Sequence, residues 1–381
     1  MAMIRLDGRV GEGGGQVVRV AIGLSALTGV PVRIDNIVDK LFLLLAKYIL
    51  GLKAQHVASI KWLAEATEAK VSGLIVGSRT IEFTPQLSPA EIKLDRTKIR
   101  IRSDTAASVL LVFQAILPFL LFAGDHVSSA IDLRIQGGTN VGWSLSYEYL
   151  DQVLLPSLER FGVIVKRKLQ SRGWSLGRQS IGEVHFQITP LGLGCTLRSP
   201  DWPLERGFLS RIDVTIVVPA ELIKDLKASL QFELDLVFPG VEAKFVLTED
   251  SGDRARLYTL LVAHTTTGLR FGRDWLYDRS TKLKTVEFLS KEVSQKVVDD
   301  LDKEYRKGGV VDEFLQDQLV VFQALATGES SIPPTSRAFG SSSNRVDKTD
   351  EPFGDGSLHT TTARWVTSQL LPSTKWIDKG R

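Results

Sequence analysis

The chain has 381 residues, of which 43% are hydrophobic and 24% are charged, and its formal net charge is +3 at pH 7. This composition is typical of a soluble globular protein, and the length predicts two domains. Cys195 is the only cysteine, which excludes an intramolecular disulfide framework and a multi-cysteine zinc site. The mild positive charge is compatible with nucleic-acid binding.

Three consecutive glycines precede an apolar helix in the segment Asp7–Leu27 (DGRVGEGGGQVVRVAIGLSAL). The glycines at 13–15 lack a Cβ, so a ligand can approach their amides, and the helix N-terminus favours an anion. Glu12 adds a metal-capable carboxylate and Arg19 a phosphate-capable guanidinium. The segment matches neither the P-loop nor the dinucleotide fingerprint. We predict a phosphate site here, with a flexible turn as the alternative for a glycine run alone.

Strand-like and helix-like segments alternate through the first two hundred residues. The pattern predicts strands at Val32–Ile37, Leu74–Phe83 and Leu133–Ile135, and helices at Leu52–Ala69, Ala106–Ala123 and Tyr149–Phe161. This order predicts an α/β layer architecture. The most apolar run, Leu41–Leu52, contains Lys47 and is too short to span a bilayer, so we expect a soluble protein without a membrane partner.

The pattern restarts near Phe208. It predicts strands at Ile212–Val218, Glu242–Leu247 and Tyr258–His264, and helices at Glu221–Phe232 and Val286–Leu301. This block can bury a small core of its own. The later segment Ser330–Gly356 is rich in serine, proline and glycine and is predicted to be a mobile surface loop.

Five histidines are candidates for nucleophilic or acid–base chemistry near neutral pH: His56, His126, His185, His264 and His359. The first four have ordinary structural interpretations, in a helix, a turn and two strands. His359 opens a predicted helix, whose positive N-terminus favours a bound phosphate. From position alone, a helix-capping role for His359 is the better interpretation.

Five segments together resemble the RNA 3'-terminal phosphate cyclase family. The first is the pattern D-G-x-x-G-E-G-G-G-Q-x-x-R that begins at Asp7. The others follow in the family's order: Gly51–Val57 (GLKAQHV), Ile135–Asn140 (IQGGTN), Val311–Leu319 (VDEFLQDQL) and Leu358–Ala363 (LHTTTA). The likeness spans nearly the whole chain, and its first and last motifs are specific when they occur together.

The resemblance implies a fold, an activity and a domain division. The fold is α/β, with a large domain of three similar β-α-β-α-β-β units, at residues 1–200 and 308–381, and a smaller inserted α/β domain at residues 201–307. The activity is ATP-dependent conversion of an RNA 3'-phosphate to a 2',3'-cyclic phosphate, through a histidine-linked AMP on His359 and an adenylylated RNA. ATP is a substrate, Mg²⁺ or Mn²⁺ is expected at Glu12, and RNA 3' ends are the partner. The nucleus is favoured over the cytoplasm.

The resemblance also assigns residues to the nucleotide and to phosphates. The nucleotide-binding group comprises Gln114, Phe314, Leu315, Gln316, Asp317 and Gln318, and the phosphate-binding group comprises Gln16, Arg19 and Gln55. Phe314 stands where the family usually has tyrosine, so it retains a stacking face without the hydroxyl. Local alternatives remain, because Gln114 suits a satisfied core glutamine and Asp317 suits a helix cap. Trp143, after the GGTN loop, could stack on a base.

The most serious departure from the family pattern lies at Ile37–Leu50. The family has an arginine-rich Pro-Gly loop where this chain has Ile37–Leu50 (IVDKLFLLLAKYIL). Lysines in this stretch cannot reproduce bidentate guanidinium geometry. The run is either an apolar helix of the core or a gene-model artefact. The altered run favours a second hypothesis, in which the chain is a catalytically impaired relative that acts in RNA processing or ribosome biogenesis. His359 favours the enzyme. A third class, the enolpyruvate transferases, is disfavoured because those proteins lack the GEGGGQ and LHT motifs.

Overall fold

The computed structural model describes residues 2–38, 51–92, 95, 98–103, 105–124, 129–332 and 356–377. His126, most of the apolar run Ile37–Leu50 and most of the predicted loop Ser330–Gly356 lie outside these residues. Within them the chain is a mixed α/β protein with several sheets, as the sequence predicts.

The first unit pairs a four-stranded sheet with two helices. Its elements are β1 (Ile4–Asp7), α1 (Gly14–Thr28), β2 (Val32–Asp35), α2 (Ala54–Thr67), β3 (Lys70–Ser72) and β4 (Ile81–Thr84). The strand order is β1-β2-β4-β3, with β1 and β2 parallel and the other pairs antiparallel. The predicted strand Leu74–Phe83 is wrong before Ile81, because the chain turns through Gly73 and Gly77, whose φ angles are 79° and 86°.

The second unit repeats this connectivity. Its elements are β5 (Ile99–Ile101), α3 (Val109–Leu121), β6 (Ile131–Gly137), a helical segment made of α4 (Tyr147–Tyr149), a π-helical turn (Leu150–Leu154), α5 (Leu155–Leu158) and a 3₁₀ turn (Glu159–Phe161), then β7 (Ile164–Ser171) and β8 (Gly182–Thr189). The strand order β5-β6-β8-β7 matches that of the first sheet. The predicted β-α-β-α-β-β unit is therefore present twice among these residues, although no sequence repeat is visible.

The third region is interrupted. Strand β9 (Leu197–Arg198) precedes a block of β10 (Leu209–Val218), α6 (Ala220–Val237), β11 (Glu242–Asp250), β12 (Tyr258–Thr265), β13 (Arg270–Leu276) and α7 (Val286–Lys307). These four strands form one sheet in the order β11-β10-β12-β13. The chain then continues through α8 (Glu313–Leu325), β14 (Ala326–Thr327) and α9 (Leu358–Leu370), with β14 parallel to β9. The buried apolar side chains form one large cluster that includes both parts, and the predicted domain boundaries remain a prediction.

Helix packing brings the ends of distant elements together. Helix α1 packs against α3 and α9, and α9 also packs against α8. The α1–α3 crossing is close, since a Cβ on Gly23 would lie 2.5 Å from the carbonyl oxygen of Ala115. Glycine therefore permits an approach that alanine would block. In the part of the chain described, no helix combines the length and apolarity needed to cross a bilayer.

Candidate active site

His359 lies in the first turn of α9, directly opposite the glycine loop. Ser357 caps this helix by accepting a hydrogen bond from the backbone N–H of Thr360 at 3.2 Å. The backbone N–H of Glu12 donates to Oγ1 of Thr362 at 2.9 Å, which ties the loop to the same turn. As a result, Oε2 of Glu12 lies 2.6 Å from Nδ1 of His359.

The carboxylate of Glu12 sets the electrostatics of His359. It raises the pKa of the imidazole above its ordinary value of 6.5, with Asp317 adding to the effect while burial and Arg19 oppose it. The imidazole side chain is 52% exposed, so solvent can reach it. Because Nδ1 is turned toward the carboxylate, Nε2 is the ring nitrogen left for chemistry.

Side chains from α1 and α8 form a hydrogen-bonded chain beside His359. The amide nitrogen of Gln16 donates to Oδ2 of Asp317 at 3.2 Å, and Nη2 of Arg19 donates to Oε1 of Gln16 at 2.5 Å. Nε2 of Gln318 also donates to Oδ2 of Asp317, at 2.6 Å. Burial raises the pKa of Asp317 to about 6. Asp317 lies in the interior of α8 and its carboxylate is buried, so Asp317 does not cap the helix.

His56 is a residue whose role the sequence analysis missed. Its ring is buried at 2% exposure, and Nδ1 accepts the backbone N–H of Lys53 at 3.1 Å. That bond places the remaining ring proton on Nε2, which has no hydrogen-bond partner among the described residues. Burial, aided by Arg19 and Lys53, lowers the pKa of His56 to about 3. His56 is therefore a neutral donor.

The unpartnered nitrogen of His56 faces the glycine loop. A Cβ on Gly15 would lie 3.1 Å from Nε2 of His56 and 3.0 Å from Nη1 of Arg19. The two nitrogens thus flank a space that only glycine leaves open, beside the first turn of α1. The preceding residue, Gln55, lies half-buried in the first turn of α2. The signal in the sequence was the glutamine–histidine pair itself, which we assigned to Gln55 alone.

A cavity extends from these residues between α1, α3, α5 and α8. It encloses about 570 Å³ including the part open to solvent, and Gln16, Arg19, Gln114, Asp317 and Gln318 lie on its wall. The amide nitrogen of Gln114 is buried without a partner among the described residues. A satisfied core glutamine would not leave this donor without a partner, so the structure does not favour that interpretation of Gln114. Gln114 lies on the same cavity wall as the predicted phosphate-binding residues Gln16 and Arg19.

The N-terminal turn of α8 is held by Asp312. Its fully buried carboxylate accepts hydrogen bonds from the backbone N–H groups of Phe314 and Leu315 at 3.0 and 2.9 Å. It also accepts the hydroxyl of Tyr149 at 2.6 Å and the N–H of Gly272 at 2.8 Å. The helix cap is therefore Asp312. This cap fixes the first turn of α8, which carries Phe314 and Leu315.

The predicted nucleotide-binding residues of α8 have different surroundings. Phe314 is 40% exposed, and the guanidinium of Arg273 lies 4.3 Å from its ring centroid. Leu315 is buried in the apolar core. Oε1 of Gln316 accepts the hydroxyl of Thr360 at 3.4 Å, which joins α8 to the turn that carries the histidine.

The donor set fits a divalent cation only in part. Glu12 offers a carboxylate with a 32% exposed side chain beside a loop without side chains. Within the described ranges, no group of three or more His, Cys, Asp or Glu residues could hold a metal ion. Magnesium commonly uses one or two protein carboxylates with substrate phosphates and water as further ligands. Glu12 suits that arrangement as a single ligand.

Trp143 lies outside these contacts. It follows the GGTN loop with 77% of its surface exposed and a φ of 62°, a left-handed conformation that is uncommon for a bulky residue. The loop itself is buried, and Asn140 donates to Glu148 at 3.0 Å. The predicted base-stacking role of Trp143 remains a prediction.

Comparisons with known proteins identify the family to which the chain is similar. The family model for RNA 3'-terminal phosphate cyclase matches residues 10–375. The RNA 3'-terminal phosphate cyclase of Pyrococcus abyssi is 32% identical over 349 residues, covering 86% of this chain and 87% of the relative. The protein of the same name from Drosophila melanogaster is 32% identical over 337 residues, covering 87% and 85%. That of Methanosarcina barkeri is 30% identical over 379 residues, covering 99% and 97%.

These matches define an enzyme of the ligase type. The chain belongs to the RNA 3'-terminal phosphate cyclase family.

Proposed function

We propose that this chain converts an RNA 3'-phosphate to a 2',3'-cyclic phosphate at the expense of ATP, with His359 as the nucleophile. The observation that carries the proposal is the 2.6 Å contact between Nδ1 of His359 and the carboxylate of Glu12. The contact places a carboxylate beside Nδ1, and Nε2 is the nitrogen that would attack the α-phosphate of ATP. The bond between Nε2 and phosphorus forms as pyrophosphate leaves, which gives a histidine-linked AMP.

The surrounding donors stabilise the charge that develops on the phosphates. Arg19 supplies a guanidinium, the neutral His56 supplies an N–H, and the first turn of α1 supplies backbone N–H groups. Burial lowers the pKa of Arg19, yet a guanidinium stays charged near neutral pH. These groups are partly desolvated, so their interaction with an anion is stronger than it would be in water.

Glu12 would hold Mg²⁺ or Mn²⁺, and such an ion would neutralise charge on the triphosphate. Glu12 has a second effect, which does not involve the metal: its carboxylate stabilises the protonated form of the His359 imidazole. The acid limb of activity then reports the loss of a proton from His359.

The later steps use the RNA. The 3'-phosphate oxygen attacks the phosphorus of the histidine-linked AMP, which releases His359 and gives an RNA adenylate. The neighbouring 2'-hydroxyl then attacks the RNA phosphorus, AMP leaves, and the cyclic phosphate forms. Adenylylation thus converts a poor leaving group into AMP. Trp143 is a candidate platform for a base near the RNA 3' end.

Incubation with ATP labelled at the α-phosphate tests the first step. The proposal predicts a covalent adenylate that is labile in acid and stable in base, as expected for a phosphorus–nitrogen bond, and that is discharged by RNA with a 3'-phosphate. An RNA with a 3'-hydroxyl is the control and should leave the adenylate intact. Absence of the adenylate would favour the alternative, an impaired relative that acts in RNA processing or ribosome biogenesis, for which the nucleus is the expected compartment.

A further inference from the structure

A second cavity lies where the block from β10 to α7 meets the rest of the chain. It encloses about 420 Å³ including the part open to solvent. Its wall combines Arg160 from the 3₁₀ turn, Arg270 from the start of β13, and Trp202 from the connection between β9 and β10. Val310 and Leu315 add the start of the return connection and of α8. We call it the junction pocket, because both chain crossings between the two parts border it.

The two arginines retain free hydrogen-bonding capacity. Nη2 of Arg160 donates to the carbonyl oxygen of Gly268 at 2.8 Å, and Nη1 of Arg270 donates to that of Gln152 at 2.9 Å. Neither guanidinium forms an ion pair with a carboxylate among the described residues. A guanidinium has five N–H donors, so most of them remain for a ligand or water.

A third donor lies in the same wall. Nε1 of Trp202 is buried without a hydrogen-bond partner among the described residues, and the whole residue is only 9% exposed. Arg160 lies over the indole ring, with its guanidinium carbon 5.5 Å from the ring centroid. Burying an indole N–H without a partner is unfavourable, so a ligand in the pocket that supplied an acceptor would stabilise this donor.

The two acidic groups that act on Arg270 also have other cationic partners. Glu159 lines the pocket and is the acidic group that acts most strongly on Arg270, while its carboxylate also lies 3.7 Å from Arg167 and its side chain is 56% exposed. Asp213, which acts on Arg270 over a longer distance, lies 2.7 Å from both Arg211 and His264. The pocket therefore presents unpaired cations and few unpaired anions.

We propose that the junction pocket binds a phosphate group, held by the guanidinium groups of Arg160 and Arg270. Planar guanidinium forks match phosphate oxygens bidentately, and ligand sites are frequent where two parts of a protein meet. The phosphate can come from a small free ligand or from an RNA backbone. The site is distinct from the one at His359, so the proposal does not depend on the proposed function.

Titration calorimetry with inorganic pyrophosphate, without metal or ATP, tests the proposal. The background is the full chain carrying Arg19→Gln, which removes the main cation of the His359 site and isolates the junction pocket. Arg270→Gln in this background should weaken pyrophosphate binding by about tenfold or more. Arg254→Gln is the matched control, since Arg254 is an exposed arginine paired with Glu221, and it should leave affinity unchanged.

Two further measurements complete the test. Circular dichroism of each variant checks the fold, and Arg160→Lys provides a second variant that keeps the charge while losing the fork. A 3'-hydroxyl oligoribonucleotide that displaces pyrophosphate only when Arg270 is present identifies the RNA backbone as the source, and failure to displace it identifies a small ligand. The proposal is overturned if the background binds no pyrophosphate, or binds it equally well with Arg270→Gln.

Discussion

Nδ1 of His359 and Oε2 of Glu12 lie 2.6 Å apart, so the glycine loop and the last helix described share one contact at the reactive centre. This pair places the carboxylate of the loop beside the histidine that we propose as the nucleophile. The contact explains why these two motifs are informative together, since neither motif alone fixes the orientation of the ring.

His359→Asn should abolish formation of the covalent adenylate while leaving the fold intact, because a carboxamide has similar size and no nucleophilic nitrogen. Transfer of label from ATP to protein is the measurement. His185→Asn is the matched control, because Nε2 of His185 also lies 2.6 Å from a carboxylate, that of Asp132, in a strand pair of the second sheet. Covalent AMP that persists in His359→Asn would remove the central claim.

Glu12→Gln should lower the pKa of His359, because the neutral amide no longer favours the imidazolium. In the wild type the pKa lies above 6.5, so the adenylylation rate should fall as the pH drops through that raised value. In the variant the acid limb should move to lower pH. Imidazole titration by NMR, before ATP is added, measures the shift directly. An unchanged pKa would mean that the carboxylate does not control the histidine.

The contact between Glu12 and His359 also makes the stability of the fold depend on pH. A raised pKa of His359 in the folded state contributes stability that is fully present below the unfolded value of 6.5 and is lost as the pH rises through the folded value. Because half of the side chain is exposed, solvent screens this contribution.

His56→Leu should weaken binding of ATP or pyrophosphate, since one charge-assisted hydrogen bond is worth about 1.5 to 3 kcal/mol, or roughly one to two powers of ten in affinity. His56→Gln should restore part of it, because the amide N–H approximates the position of Nε2. With a pKa of about 3, the histidine stays neutral, so it adds no pH dependence to wild-type affinity between about pH 5 and pH 8. A loss of affinity that follows titration of His56 would contradict the neutral-donor role.

Asp312→Ala should destabilise the fold by about 3 to 5 kcal/mol, since it leaves the tyrosine hydroxyl and three backbone N–H groups without their buried acceptor. Urea unfolding measures the change. Asp235→Ala, at an exposed position of α6, should change the free energy of unfolding by less than about 0.5 kcal/mol. Equal effects of the two substitutions would show that the hydrogen bonds of Asp312 make no particular contribution to the free energy of unfolding.

Wild-type protein should bind RNA with a 3'-phosphate only slightly better than RNA with a 3'-hydroxyl, because the sequence at 37–50 lacks the arginines of the family loop. Replacing this stretch with an arginine-containing Pro-Gly loop should strengthen binding and cyclisation together. Equilibrium binding at physiological salt is the measurement. Strong discrimination by the unmodified chain would mean that Arg19 and His56 already hold the phosphate.

Periodicity in the sequence predicted the long elements well. Helices α3 and α7 bury continuous apolar stripes, so their patterns are strong. Short strands such as β1 and β5 have only three or four residues and carry too little pattern to detect. The repeated strand order was invisible because it depends on hydrogen bonding between strands, and each unit fills it with different apolar residues.

The sequence predicted some residues of the candidate site and missed others. Motifs predicted His359, Glu12 and Arg19 as site residues, because each stands in a distinctive local context, and their roles stay predictions. His56 was missed because the glutamine–histidine pair was assigned to Gln55 alone, and the burial of His56 and its bond to the backbone of Lys53 cannot be read from residue type. Asp312 was missed because its partners come from three separate segments of the chain.

The hydrogen bond from the backbone of Glu12 to Thr362 spans 350 positions of sequence. During synthesis, the glycine loop therefore leaves the ribosome long before the helix that carries the histidine exists. Until that helix docks, the carboxylate of Glu12 has no imidazole beside it, and α1 lacks one of the helices against which it packs. A chain that stalls before residue 359 would contain the glycine loop, Arg19 and His56, and it would lack the imidazole that we propose as the acceptor of AMP.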